Sequence, residues 1–207
     1  MGIRSTGIRN RLLAGFLILG AMVLAQGLMS LRTMAELRAV TVELETNTVP
    51  SLETLADLNL TASRLRIFTL RFLIAEGADA QAPLKSRIME LRDELVAQKE
   101  IYTKLISIPG EKEEFDQFSA AAKNYMARQL DVIALAEAGN KAEAVELQNT
   151  VMSGFADQMT ASLLKLSDIN SGHMKESSAE SAGSYSTSQM VSWFLIALSV
   201  LAAFAIA

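Results

Sequence analysis

Hydrophobic residues concentrate in two uninterrupted runs near the two ends of the chain. The first occupies residues 12–31 and the second residues 190–207, and neither contains a charged side chain. About twenty apolar residues in a helix, rising about 1.5 Å each, span the hydrocarbon core of a bilayer. The pattern therefore predicts two transmembrane helices that bracket a more polar region, residues 32–189.

A cleavable signal peptide is the alternative interpretation of the first run. Basic residues precede the run, and the small side chain of Ala25 before Gln26 provides an acceptable cleavage site. The apolar run nevertheless continues to Leu31, which is the length of a membrane span. We therefore expect an uncleaved anchor. Both interpretations put residues 32–189 on the same side of the membrane.

Between the two runs, apolar positions recur at helical spacing and helix breakers divide them into four segments. Pro83, Pro109 and the pair Gly139-Asn140 mark the boundaries. Pro50 lies inside the first segment, where it is expected to kink or interrupt the helix. The predicted fold class is all-α: an antiparallel up-down-up-down four-helix bundle continuous with the two transmembrane helices.

The sequence predicts approximate bounds for the four helices and, for the second to fourth, the positions that face the core. The first covers about residues 32–77 and the second about 83–107, the third begins near residue 111, and the fourth follows residue 140. Steps of three and four residues define the inward heptad positions. In the second helix they are Leu84, Ile88, Leu91, Leu95, Gln98, Tyr102 and Leu105. In the third they are Phe115, Phe118, Ala122, Tyr125, Gln129, Val132 and Ala136. In the fourth they are Ala144, Gln148, Val151, Phe155, Gln158, Ser162, Leu166, Ile169 and His173.

The distribution of charge predicts the orientation of the chain in the membrane. Arg4, Arg9 and Arg11 precede the first span without a compensating acid, so the positive-inside rule places residues 1–11 in the cytoplasm. Residues 32–189 are then exported, and they carry all 23 of the acids. Because acids exceed bases there, nucleic acid is not expected as a partner.

Residue types that carry catalysis or bind metal are scarce. The chain has no Cys and a single His, His173, which excludes thiolate chemistry and a multi-histidine metal site within one chain. No phosphate-binding loop or nucleophile motif occurs, so neither enzyme activity nor a cofactor is predicted. The Glu and Asp residues are expected to occupy solvated helix faces, and His173 to be structural or exposed.

Three arginines of the first helix are the candidate ligand-binding residues. Arg64, Arg66 and Arg71 are the only bases between Arg38 and Lys85, and apolar residues surround them. Arg64 and Arg71 share a helix face two turns apart, whereas Arg66 points about 200° away. Guanidinium groups in apolar surroundings suit bidentate binding of a carboxylate. Ion pairing with acids of neighbouring helices and extension of the guanidinium groups to water are the alternatives.

Antiparallel pairing of the first and fourth helices adds three candidates opposite Arg64. They are Phe155, Gln158 and Met159. Gln158 is suited either to a hydrogen bond with the ligand or to fixing the register of the bundle, and the other two are expected in the core.

A second polar and aromatic cluster occurs in the third helix. It consists of Lys123, Tyr125 and Arg128. Such a group is more typical of a solvated face than of a ligand site, and we expect the former.

Short motifs within this framework resemble a known family. They are Asn47-x-x-Pro50-Ser51, Ser63-Arg64-x-Arg66 and Gly139-Asn140-x-x-Glu143-Ala144. Together with the topology they are similar to the four-helix-bundle sensor domain of bacterial methyl-accepting chemotaxis proteins. The resemblance implies a periplasmic sensor in the inner membrane, a homodimer whose pocket lies between the first helices, and HAMP and signalling modules beyond residue 207.

The expected function is that of a chemoreceptor input region. A small anionic carboxylate would bind between the first helix of one subunit and the first and fourth helices of the other, and helix displacement would transmit the signal. Two alternatives remain open. The same sensor can serve a histidine kinase or a cyclic-dinucleotide enzyme, or the bundle can be a structural or protein-binding module without a small ligand.

Overall fold

A computed structural model describes residues 8–206, apart from the side chains of residues 8, 9, 11, 12, 203, 205 and 206. Over that range the chain is helical and contains no strand. The elements are α1 (Ile8–Glu43), a π-helical turn π1 (Leu44–Thr48), α2 (Val49–Ile74), α3 (Ala78–Thr103), α4 (Glu111–Glu137), α5 (Lys141–Leu147), a second π-helical turn π2 (Gln148–Met152) and α6 (Ser153–Ile206). Residues 1–7 and the side chains of Arg9 and Arg11, on which the predicted orientation depends, lie outside the described residues.

The chain divides into two compact units, a terminal unit (Met1–Glu43 and Lys175–Ala207) and a bundle unit (Leu44–Met174). In the terminal unit, the hydroxyl oxygens of Thr33 and Ser188 lie 2.6 Å apart and share a hydrogen bond. Within residues 8–206, two helical stretches are long and apolar enough to cross a membrane. Their large side chains, such as Phe16 and Trp193, are exposed, which leaves apolar surface that a bilayer would cover. The membrane boundaries remain predictions.

The bundle unit is the predicted antiparallel four-helix bundle, formed by α2, α3, α4 and the combined α5, π2 and α6. Its core draws apolar side chains from all four helices, and each fully buried Leu, Ile, Val, Phe or Met stabilises the fold by about 1.5–3 kcal/mol relative to exposure. The heptads predicted for the second and third helices are confirmed. Their fully buried members include Ile88, Leu91, Leu95, Tyr102, Phe118, Ala122, Gln129 and Val132.

The heptad predicted for the fourth helix is wrong at two positions. Val151 and Gln158 are exposed, and the residues that follow them, Met152 and Met159, are buried instead. The cause is π2, which the periodicity did not predict. A π-helical turn holds an extra residue, so the inward face advances by one position from Met152 to Met159, whereas Ser162 and Leu166 further along are buried as predicted.

Pro50 has the predicted effect on the first helix of the bundle. A proline lacks the backbone N–H, and in a regular α-helix its ring would clash with the carbonyl of Thr46. The chain responds with π1 immediately before α2, so helical structure continues through the proline with one irregular turn.

The second predicted helix begins earlier than expected. α3 starts at Ala78, directly after Gly77, which adopts a φ of 87° that an L side chain disfavours. Pro83 therefore lies inside α3 rather than at its start, where it removes one hydrogen bond near the N-terminal end. The other two helix boundaries were predicted correctly, because α4 begins at Glu111 and α5 begins at Lys141.

Candidate functional site

A cavity of about 160 Å³ opens to solvent between α2, α4 and α6 of the bundle unit. Its lining is mixed, with apolar walls, hydroxyl groups and one cation. The lining residues are Ala62, Ser63, Arg66, Ile67, Tyr125, Ala156, Met159 and Thr160. Three helices contribute to the cavity, so a molecule bound there would touch all three.

Arg66 supplies the positive charge at the mouth of this cavity. Its side chain is 46% exposed, and its Nη1 atom lies 3.6 Å from Oδ1 of Asp157, which is 74% exposed. That separation is beyond hydrogen-bond range, and an exposed ion pair contributes little to stability. The guanidinium can therefore exchange Asp157 for another anion at little cost.

Tyr125 supplies a buried hydroxyl group. The residue is 1% exposed, and the hydroxyl of Thr69 is the hydrogen-bonding group beside its own hydroxyl. Burial raises the pKa of Tyr125, and the neighbouring Thr69 hydroxyl and Arg66 charge oppose that rise, so the phenol is a proton donor at neutral pH.

The expectation that Tyr125 belongs to a solvated face is wrong. Tyr125 occupies an inward heptad position of α4, and that position determines its burial. The other two members of the predicted cluster are exposed, and Arg128 donates to Oδ2 of Asp131 at 3.0 Å.

Arg64 and Arg71 lie on a different surface, the outer stripe of α2, defined as Leu60, Arg64, Ile67, Arg71 and Ile74. These positions step by four and three residues, which is a second heptad pattern that faces away from the core. The three apolar members are 48%, 52% and 71% exposed, in chain order. The guanidinium of Arg71 lies 5.1 Å from the centre of the Phe68 ring, a cation–π contact.

The six residues predicted to bind ligand thus separate into three groups. Arg66 and Met159 line the cavity. Arg64 and Arg71 belong to the outer stripe, and Phe155 and Gln158 belong to neither surface. Phe155 is half-buried against the core, as expected. Gln158 is exposed because π2 shifts the inward face of α6 to Met159.

Sequence reasoning missed a buried polar network at one end of the bundle. Glu111 is fully buried, and its carboxylate accepts hydrogen bonds from the Tyr102 hydroxyl at 2.6 Å and the Asn170 amide at 2.8 Å. The backbone N–H groups of Ser107 and Ile108 donate to its other oxygen at 2.9 and 3.0 Å. Burial alone would raise the pKa of Glu111, but these four donors outweigh it and hold the pKa below its ordinary value.

π1 contacts the loop that belongs to this network, and α4 carries a second buried acid one turn further on. The Asn47 side chain donates to the carbonyl of Leu105 at 2.7 Å, which ties the α3–α4 loop to π1. Glu114 is buried, and Lys165 of α6 lies 2.6 Å from its carboxylate; this contact and a hydrogen bond from Ser162 lower the pKa of Glu114. The prediction that the acids occupy solvated faces is therefore wrong for Glu111 and Glu114.

One signal for this network was present in the sequence. Tyr102 occupies an inward heptad position, and a buried tyrosine hydroxyl usually has a polar partner. Its partner could not be chosen from the sequence, because Glu111 follows a loop and Asn170 lies on another helix. Within the described part of the chain, no group of three or more His, Cys, Asp or Glu residues could hold a metal ion.

The part of the chain that the structure describes is an all-helical bundle with two helical stretches of membrane-spanning length. The family model described as the four helix bundle sensory module for signal transduction matches residues 5–185. The chain belongs to that family, which confirms the family predicted from its motifs and topology. No curated protein matches the chain at a significant level.

Proposed function

We propose that the chain is the input region of a transmembrane chemoreceptor that binds a small carboxylate in the periplasm as a homodimer. Membership of a sensory family and two apolar helical stretches support this proposal at the level of the whole chain. The outer stripe of α2 is the observation that supports a carboxylate ligand and a homodimer.

The outer stripe has the composition of a helix–helix interface. Leu60, Ile67 and Ile74 expose apolar surface along one face of α2, at the spacing by which two helices pack together. A second copy that places its own outer stripe against the first would bury this surface. The stripe is therefore suited to a homodimer through α2.

Arg64 and Arg71 make an anion necessary for close packing of such a dimer. No acid occurs between Asp57 and Glu76, so α2 offers the two guanidinium groups no acid nearby on the same helix. Two copies would bring like charges together, which destabilises the contact. A carboxylate that accepts paired hydrogen bonds from guanidinium groups of both copies would relieve this repulsion.

Transmission requires the ligand to favour one of two helix arrangements. A displacement of α6 of about 1–2 Å is the size of helix shift found at subunit interfaces. The stretch of α6 at residues 176–189 is rich in Ser, Ala and Gly and has few apolar side chains, which favours movement over tight packing.

Isothermal titration of the full chain in lipid nanodiscs with a panel of small carboxylates tests this proposal. We expect Arg64→Ala and Arg71→Ala each to weaken binding of the best ligand about 10–100-fold, because each removes a charge-assisted hydrogen bond. Arg128→Ala, which removes an exposed arginine of α4, is the matched control and should bind as the wild type does. Wild-type affinity in both α2 variants would refute the arginine site. A structural bundle would give no heat with any member of the panel.

A further inference from the structure

α6 continues from the bundle unit into the terminal unit as a single helix, Ser153–Ile206, and it contains most of the second apolar run. The displacement of α6 in the proposed function therefore depends on the contacts that hold α6 within the bundle. A hydrogen bond between two helices lengthens and tilts when one helix slides along its axis, and both changes weaken the bond. Hydrogen bonds from α6 to its neighbours are thus contacts that resist sliding.

Asn170 of α6 forms such a contact, and it is fully buried. Its amide nitrogen donates to Oε1 of Glu111 on α4 at 2.8 Å and to the hydroxyl oxygen of Tyr102 on α3 at 3.1 Å. The low pKa of Glu111 keeps its carboxylate ionised at neutral pH. Hydrogen bonds to an ionised acceptor are about twice as strong as those between neutral groups. One side chain therefore ties α6 to two other helices of the bundle.

The acceptor of this hydrogen bond is itself held in place. The second oxygen of Glu111 accepts from the backbone N–H groups of Ser107 and Ile108 at 2.9 and 3.0 Å, which fixes the carboxylate to the α3–α4 loop. The loop is tied to π1, because the Asn47 side chain donates to the carbonyl of Leu105 at 2.7 Å. Glu111 is also fully buried, so water does not readily replace a hydrogen bond that its carboxylate loses.

A second polar contact between α6 and α4 lacks this rigidity. Nζ of Lys165 lies 2.6 Å from Oε2 of Glu114, but the lysine side chain is 65% exposed. Lysine carries its charge on a flexible four-carbon stem, so the ammonium group can keep its partner while α6 slides. Asn170 has a short side chain inside the core and does not have that freedom.

The position of Asn170 on α6 also indicates a role in register. Leu163, Leu166 and Asn170 are buried and step by three and four residues along the helix. A third apolar side chain would gain hydrophobic burial at this position. A single asparagine at an inward position of packed helices instead fixes their register, at a cost in stability.

We propose that the contact between Asn170 and Glu111 holds α6 in one axial position and that its release permits the displacement of α6. Asn170 is then a positioning residue, and the contact sets the balance between two arrangements of the helix. This inference rests on the helix displacement of the proposed function. It concerns residues that are separate from the outer stripe of α2, so the two can be tested independently.

Two variants break and rebuild the contact. Asn170→Leu removes the donor and keeps the same branched skeleton, and the other three donors to Glu111 remain, so we expect the bundle to fold. The double variant Glu111→Gln with Asn170→Asp exchanges donor and acceptor. Its new amide can donate to the new carboxylate, and the amide oxygen can still accept from the two backbone N–H groups. Lys165→Ala is the matched control, since it removes the flexible contact between the same two helices.

Spin labels on α4 and α6 report the axial position of α6. The chain has no Cys, so exposed positions can be labelled through Ala127→Cys and Asp168→Cys. Residues 111 and 170 lie at one level of the antiparallel helices, so a rise of about 1.5 Å per residue separates the two labels by about 20 Å along the bundle axis. Double electron–electron resonance on the full chain in nanodiscs measures the distance between them. An excess of unlabelled chain removes distances between subunits.

We expect one narrow distance distribution in the wild type, in the double variant and in Lys165→Ala. In Asn170→Leu the distribution should broaden or shift by about 1–2 Å, the size of helix displacements at interfaces. A wild-type distribution in Asn170→Leu, or an equal change in Lys165→Ala, overturns the register contact. A double variant that behaves as Asn170→Leu does overturns it as well.

The measurement needs no ligand, so its outcome is separate from that of the carboxylate titration. If Arg64→Ala and Arg71→Ala abolish carboxylate binding while Asn170→Leu leaves the label distance unchanged, the proposed function stands and the register contact is overturned. If no carboxylate binds but Asn170→Leu moves the labels and the double variant restores them, the register contact is supported and the carboxylate site fails.

Discussion

Glu111 illustrates how a buried side chain in this bundle keeps its charge. Its carboxylate is fully buried but accepts hydrogen bonds from Tyr102, Asn170 and two backbone N–H groups. Because the folded-state pKa lies below the ordinary value, the folded protein stabilises the charged form. The contribution of Glu111 to stability is therefore fully present above the unfolded-state pKa and is lost as pH falls through the folded-state pKa.

Glu111→Gln tests this role. At neutral pH the variant should lose about 1–3 kcal/mol of unfolding free energy, because an amide cannot accept from all four donors. The difference from the wild type should shrink as pH falls below about 4.5, the ordinary pKa of the group. Thermal unfolding of the full chain in nanodiscs, followed by circular dichroism between neutral and acid pH, measures both effects.

The neighbouring acid provides the control. Glu113 is exposed, so Glu113→Gln should leave the midpoint of unfolding and its pH dependence close to those of the wild type. Identical behaviour of the two variants would contradict the assignment of the network to Glu111.

At this scale the sequence predicted which apolar residues are buried but not which polar residues accompany them. Ile88 and Phe118 follow a repeat that is visible along a single helix. Glu111 and Asn170 are 59 positions apart, and their contact depends on the register between α4 and α6. Single-helix periodicity contains no information on that register.

Among the secondary-structure elements, the π-helical turns are what distinguishes the observed helices from the regular helices predicted from the sequence. π1 follows from Pro50 and was expected as an interruption, whereas π2 has no proline and was not predicted. The displaced face of α6 brings Met159 rather than Gln158 to the cavity. The composition of the candidate site therefore depends on one irregular turn.

Two alanine substitutions test which residues near π2 face the core. Met152 is fully buried, so Met152→Ala should destabilise the bundle by about 2–5 kcal/mol through lost packing. Val151 was predicted to face inward but is exposed, so Val151→Ala should change stability by less than about 0.5 kcal/mol. Thermal unfolding of the two variants shows whether Met152 or Val151 faces the core. A larger loss of stability in Val151→Ala than in Met152→Ala would contradict the placement of π2.

At the scale of the whole molecule, topology was the most predictable property. Two apolar runs, helical periodicity between them and a few breakers gave the fold class and the family, both of which are confirmed. The cavity could not be predicted, because it requires residues from α2, α4 and α6 at one level of the bundle. Tyr125 was recognised as a heptad residue, but its place beside the cavity is visible only in three dimensions.

If two copies meet through the outer stripe of α2 and a carboxylate acts on this contact, cysteines on the stripe should cross-link between copies at a rate that depends on the carboxylate. The chain has no Cys, so single cysteines introduced by Leu60→Cys, Ile74→Cys and Lys123→Cys can be oxidised without background. Residues 60 and 74 belong to the outer stripe, whereas residue 123 is exposed on α4.

The rate of disulfide formation between copies of the full chain in membrane vesicles reports on this contact. We predict rapid cross-linking at positions 60 and 74, slow cross-linking at 123, and a changed rate at the first two when the carboxylate found by titration is added. The change should disappear in an Arg64→Ala background. Equal rates at all three positions, or rates that the carboxylate leaves unchanged, would contradict the account.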